Sequence, residues 1–167
     1  TRTSIEAIVD FWRFNSNDNA YIVWLVEETE LCKQAEETFV ELREKRGDRD
    51  LNLIKLWGNN TVTVEELKQG GGIVIAGFDK LWSYYKKPTD ESSKILLQIK
   101  RNNLLTIIDE AHKVIAPTYK QVTNFLISTQ NTKVLGLTAT PGRSNIEEVP
   151  ELVNFFDNNK ITLTDDS

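Results

Sequence analysis

Residues 104–108, Leu104-Leu105-Thr106-Ile107-Ile108, carry no charge and are mostly branched, and two carboxylates, Asp109 and Glu110, follow at once. Successive side chains of a strand point to opposite faces, so an unbroken apolar run needs cover on both sides. Parallel sheets sandwiched between helices provide it. The strand must emerge at the sheet edge where the acids begin. Adjacent acids at the carboxyl end of a buried strand suggest a metal and phosphate site.

Four further stretches read as strands, at residues 21–26, 51–57, 73–76 and 133–137, and the segments around them have helical spacing. Ile5, Ile8, Val9 and Trp12 share one face of a helix over residues 1–15. Leu31, Ala35, Phe39 and Leu42 share another, ended by Gly47. Thr63, with Glu66 three residues on, has the form of a capping box for a short helix that stops at Gly70-Gly71-Gly72. Those glycines lack the Lys-Ser/Thr of a phosphate loop and read as a flexible turn. A helix over 78–86 uses Leu81, Trp82 and Tyr85; residues 87–92 read as an exposed loop, and 93–101 as a further helix. Pro117 opens a helix that turns Val122, Phe125 and Leu126 inward, and residues 148–157 form the last one, with Pro150 tolerable in its first turn. Strands alternating with helices give an α/β fold with a mostly parallel sheet.

With 167 residues, 40% apolar and 27% charged, the chain is long enough for one domain with a real core. A net charge of -5 argues against a freestanding nucleic-acid binder, so any such contact is local. The single Cys32 has neither a disulfide partner nor a zinc ligand set and reads as a packing residue. No run approaches a membrane span and no leader stands at the start, which favours the cytoplasm and no membrane partner. Met is absent even at position 1, which reads as an excerpt of a larger protein.

In a parallel sheet the loops after the strands share one edge, where ligands bind. That edge gathers the Glu27-Glu28-Thr29-Glu30 turn, Gly77, the loop from Asp109 to His112 and the Thr138-Ala139-Thr140 loop. Asp109 can hold a magnesium ion through water, and Glu110 can orient and deprotonate an attacking water. Hydrolysis of a nucleoside triphosphate needs, besides these, a glycine-rich phosphate cradle with its lysine and magnesium-binding Ser/Thr.

Asp109-Glu110-Ala111-His112 spells the DEAH box of superfamily 2 helicases and translocases, and Leu137-Thr138-Ala139-Thr140-Pro141-Gly142-Arg143 resembles that family's third motif. Residues 23–35 resemble motif Ia with its helix, and 73–81 the strand and helix around motif Ib. The resemblance spans nearly the whole chain. It is nearest to the motors of restriction translocases and bacterial defence helicases. It implies a three-layer RecA-like domain of the P-loop NTPase type over residues 1–167, the first of two, with ATP and Mg2+ as cofactors. Thr1-Arg2-Thr3 resembles the continuation of the family's Gly-Lys-Thr phosphate loop. Thr1 would then be a magnesium-binding threonine, and the strand before the loop would be missing from inside the sheet. The resemblance makes Asp109 a metal and nucleotide residue and Glu110 the general base, with His112, Thr138 and Thr140 coupling the ATP site to motif III. Thr29, Gly77 and Arg143 become nucleic-acid contacts. The implied activity is ATP-driven movement on DNA, more than on RNA, by a longer chain that includes the second RecA-like domain.

Two departures weaken the nucleic-acid half. Glu27-Glu28 stands where related motors often carry His-Arg, and acids beside a phosphate repel it; Gly77 replaces the Thr expected near motif Ib. A non-catalytic binding or scaffold module on a motor fold, or an RNA-directed helicase, are the alternatives. Asp109 and Glu110 also suit a plain helix start, Thr138 and Thr140 a turn, and Arg143 a solvated loop. Trp12, Trp24, Trp57 and Trp82 lie in periodic apolar stretches and read as core or interface.

Overall fold

A computed structural model describes residues 2–15, 19–46, 52–129, 131–138, 149–157 and 159, with the side chains at 2–4, 13, 15 and 46 excepted. Thr1, Gly47, Thr140, Arg143 and residue 148 of the last expected helix lie outside the described residues. The elements run α1 (Arg2–Asn15), β1 (Tyr21–Val26), α2 (Thr29–Arg46), β2 (Asn52–Leu56), α3 (Val64–Lys68), β3 (Gly72–Gly77), α4 (Phe78–Lys86) and α5 (Asp90–Asn102). They continue with β4 (Asn103–Asp109), a 3-10 helix (Ala111–Ile115), α6 (Pro117–Ile127), β5 (Lys133–Leu137) and α7 (Val149–Phe155).

All five strands are parallel, in the order β2-β3-β1-β4-β5. The central strand β1 is buried at every position. Its alternation divides the core into layers: Ile22, Trp24 and Val26 pack with Ile5, Ile8, Trp12, Ala35 and Phe39 of α1 and α2. Tyr21, Val23 and Leu25 pack with Leu67, Leu81, Ile95, Ile99 and Val122 of α3 to α6. The result is the three-layer α/β architecture expected. A smaller cluster joins Ile108 and Val114 to Leu152 of α7. Among the described residues, neighbouring strands are hydrogen-bonded in sequence from β2 to β5.

Several boundaries differ from the sequence expectation, each for a local reason. The glycine run is packed tightly rather than flexible. A Cβ on Gly71 would lie 2.2 Å from the Ala20 carbonyl oxygen, and one on Gly72 2.2 Å from that of Asn52. Gly72 opens β3, and its amide donates to Ala20 O at 3.0 Å. The loop expected over 87–92 is shorter, because Thr89 caps α5: its Oγ1 accepts from the Ser92 amide at 3.1 Å and its own amide donates to Ser92 Oγ at 2.8 Å. The Thr63–Glu66 box forms as expected, and its hydrogen bonds with Thr63 hold the Glu66 carboxyl below its ordinary range. Trp12, Trp24 and Trp57 are buried, and Trp82 stacks on Phe78 and Tyr85. No helix among the described residues is long and apolar enough to cross a membrane.

Candidate active site

The sheet order places β1 beside β4, with Leu25 opposite Ile108. After β1 the chain turns into α2 on one face; after β4 it turns into α6 on the other. Helices that leave neighbouring strands toward opposite faces open a crevice between the strand ends, the usual ligand position in an open parallel sheet. A cleft of about 280 Å³ lies there, lined by Glu27, Glu28, Leu31, Asp109, Glu110, His112 and Lys113.

Asp109 is the last residue of β4, and Glu110 follows with φ 55° and ψ 56°, a left-handed conformation that side-chain-bearing residues rarely adopt. That turn reverses the chain at once into the 3-10 helix. The Glu110 amide donates to Asp109 Oδ1 at 3.1 Å, and the Lys113 amide to the Glu110 carbonyl at 2.9 Å. His112 Nδ1 lies 3.3 Å from Glu110 Oε2 and 3.3 Å from Thr138 Oγ1, just past the end of β5. A proton on Nδ1 attracts the carboxylate; without it, the Thr138 hydroxyl donates to the ring. Lys113 reaches the other way and pairs with Glu27.

Cys32, in the first turns of α2, is fully buried, and its amide donates to Glu28 O at 3.1 Å. Burial, helped by the Asp109 carboxylate, pushes its thiol up to about 11. Burial also pushes the Tyr119 phenol above its ordinary value, with the charges of Asp79, Cys32 and Asp109 adding to it. Both groups are buried and lie within reach of the Asp109 charge.

The family described as type III restriction enzyme, res subunit, matches residues 1–143. The chain belongs to that family. The match contains every residue of the cleft and ends just past Thr138 and Thr140. A protein of Sulfolobus islandicus filamentous virus (isolate Iceland/Hveragerdi) named "Putative helicase 22" is 32% identical over 134 residues, covering 80% of this chain and 21% of that protein. The crystal structure of the Pyrococcus furiosus Hef helicase domain superposes with a TM-score of 0.65 at 21% identity, over 93% of this chain and 30% of that one. At that identity the likeness is one of fold, and it agrees with the RecA-like architecture. The chain thus spans about a fifth of the viral relative and under a third of the archaeal one.

Of the residues singled out from the sequence of this family member, Asp109, Glu110, His112 and Thr138 come together. Thr29 is exposed at the start of α2, on the same sheet edge. Gly77 is buried where β3 meets α4, and a Cβ there would touch Trp57 Cβ at 3.0 Å. Sequence reasoning missed Lys113, whose only signal is a cation next to the box, and it missed the employment of Glu27 within the fold.

Proposed function

We propose that this chain is the first RecA-like half of an ATP-driven helicase or translocase that moves on DNA, with Glu110 as general base and Asp109 as the carboxylate on the magnesium ion. The observation that carries this reading is the placement of the acid pair. Both carboxylates stand in the crevice between β1 and β4, and one of them meets His112, which in turn meets Thr138 of the next strand end. Such an arrangement gives a hydrolytic carboxylate a relay to a neighbouring loop.

The donor set fits magnesium bound together with a nucleotide. Among the described residues no group of three or more His, Cys, Asp or Glu gathers as a metal cage. Magnesium typically uses one or two protein carboxylates and completes its shell with water and phosphate oxygens, which Asp109 alone can begin. Magnesium-ATP would supply the scissile phosphate bond. Glu110 would orient a water and take its proton, and His112 would hold the Glu110 carboxylate in place. Thr1 would add a magnesium ligand, Thr140 would join Thr138 in the coupling, and Arg143 and Thr29 would meet the nucleic-acid backbone. A second RecA-like domain would complete the nucleotide site.

The test is Glu110→Gln in the full-length protein, assayed for magnesium-ATP turnover and nucleotide binding with duplex DNA, single-stranded DNA and RNA. Turnover should fall by about 10²- to 10⁴-fold with binding retained. Retained turnover would refute the assignment of the base. Stimulation by RNA alone would redirect the substrate, and a parent protein without any turnover would support a scaffold on a motor fold.

A further inference from the structure

We propose that the Glu27–Lys113 ion pair is a positioning device, which clasps the turn after β1 to the turn that carries Glu110. The inference rests on the ATPase reading above and adds a residue pair to it.

Glu110 sits in a left-handed conformation, so its carboxylate stays aimed only while the surrounding structure imposes that turn. Lys113 links that turn to the other side of the crevice. Its amide holds the Glu110 carbonyl at 2.9 Å, and its side chain reaches across the crevice to Glu27. Glu27 is anchored in turn. The next carbonyl, that of Glu28, receives the amide of buried Cys32, which fixes the turn to the first turn of α2. A continuous chain of contacts therefore runs from α2 through Glu27 and Lys113 to the backbone of Glu110.

Exposed ion pairs contribute little, because water competes for both partners and two long side chains must be ordered. This pair differs in two respects. The Lys113 and Glu27 side chains are only 32% and 39% exposed, so part of the competing water is already gone. The pair also joins segments far apart in sequence at neighbouring strand ends. The crevice sets Glu27, Glu28, Asp109 and Glu110 against Lys113 and His112. Without the Lys113 ammonium, the carboxylate of Glu27 would face the acid pair with one cation fewer between them. Like charges lining one cleft repel, which pushes the two turns apart. Glu27, out of place as a nucleic-acid contact, thereby gains a role inside the fold. The turn after β1 would transmit its own displacement to Glu110.

The experiment is a charge exchange in the full-length protein. Glu27→Gln and Lys113→Ala should each lower kcat for ATP by roughly tenfold or more, with KM for magnesium-ATP held within about twofold. Glu27→Lys combined with Lys113→Glu should recover kcat to within about threefold of the parent. Singles that leave kcat within about twofold, or an exchanged pair no better than its worse single, would overturn the clasp. Amide hydrogen exchange at residues 110–113 gives a second readout that needs no turnover. It should accelerate in Glu27→Gln, and unchanged exchange would overturn the proposal. A parent protein that hydrolyses no ATP would refute the ATPase reading, and the exchange measurement would then decide the clasp alone.

Discussion

Gly72→Ala has a cost set by the backbone around it. Gly72 pairs with Asn52 of β2 on one side and Tyr21 of β1 on the other, so neither flank is open. An added Cβ would sit 2.2 Å from the Asn52 carbonyl oxygen and 2.9 Å from both its carbonyl carbon and its Cβ. Real Cβ atoms do not approach closer than 3.0 Å, so β2, an edge strand, has to retreat. A retreat of roughly 1 Å carries an ordinary ladder hydrogen bond past its useful length. Overpacking strain of about 1–3 kcal/mol and one or two lost bonds at about 1 kcal/mol each give a total of about 2–5 kcal/mol. In a domain of this size that lowers Tm by roughly 5–15 °C. Gly58 is the opposite case and a suitable control. Its φ is +54°, yet nothing lies within 4 Å of the added Cβ, so alanine meets only the left-handed penalty of about 1–2 kcal/mol. Thermal unfolding of both variants, followed by circular dichroism, tests the comparison. A Gly72→Ala protein that melts with the parent, or above Gly58→Ala, would refute the claim that strand spacing explains the glycine.

Two further outcomes concern the site and the thiol beneath it. His112→Ala removes the imidazole that meets both Glu110 and Thr138, so stimulation of ATP turnover by nucleic acid should fall roughly five- to tenfold, more than the unstimulated rate does. Steady-state kinetics with and without DNA measures it, and equal losses in both rates would remove His112 from the coupling. The Cys32 thiol rises from an ordinary 9.0 to about 11 in the folded chain, so folding favours its neutral form. The stabilisation is present below about 9 and is lost as pH climbs toward about 11, by no more than about 2 kcal/mol. Urea midpoints across that window should fall less steeply for Cys32→Ala than for the parent, and identical slopes would contradict the assignment.

The strands were readable because they are buried on both faces. Residues 104–108 need cover above and below, and all five apolar runs became neighbours in one parallel sheet. Their order was not readable, since the pairing of β1 with β3 and β4 depends on how long connections cross the sheet faces. Cap chemistry was recognised where Glu stands at the third helical position, as at Glu66, and missed where Ser92 does the same work for Thr89. Gly71 and Gly72 misled because the same residue serves a flexible turn and a close backbone approach, and only the position of Ala20 and Asn52 distinguishes the two. At the site, the tetrapeptide marked Asp109, Glu110 and His112, whereas Glu27 and Lys113 became partners only through the fold. A local reading finds Glu27 repulsive to phosphate because it cannot see which cation faces it.

The left-handed turn at Glu110 has a physical reason in the 3-10 helix that begins at Ala111. A 3-10 helix has about three residues per turn, so successive side chains diverge by roughly 120°. His112 and Lys113, adjacent on that helix, thereby face opposite neighbours, Thr138 beyond β5 and Glu27 beyond β1. A gentler entry into a helix would carry both side chains past the strand ends before they could reach them. The reversal at Glu110 is followed at once by these two contacts, one to each neighbouring loop. The rare backbone conformation is therefore the condition for linking three strand ends through consecutive residues. A displacement of either neighbouring loop then bears on the peptide and the carboxylate of Glu110 itself.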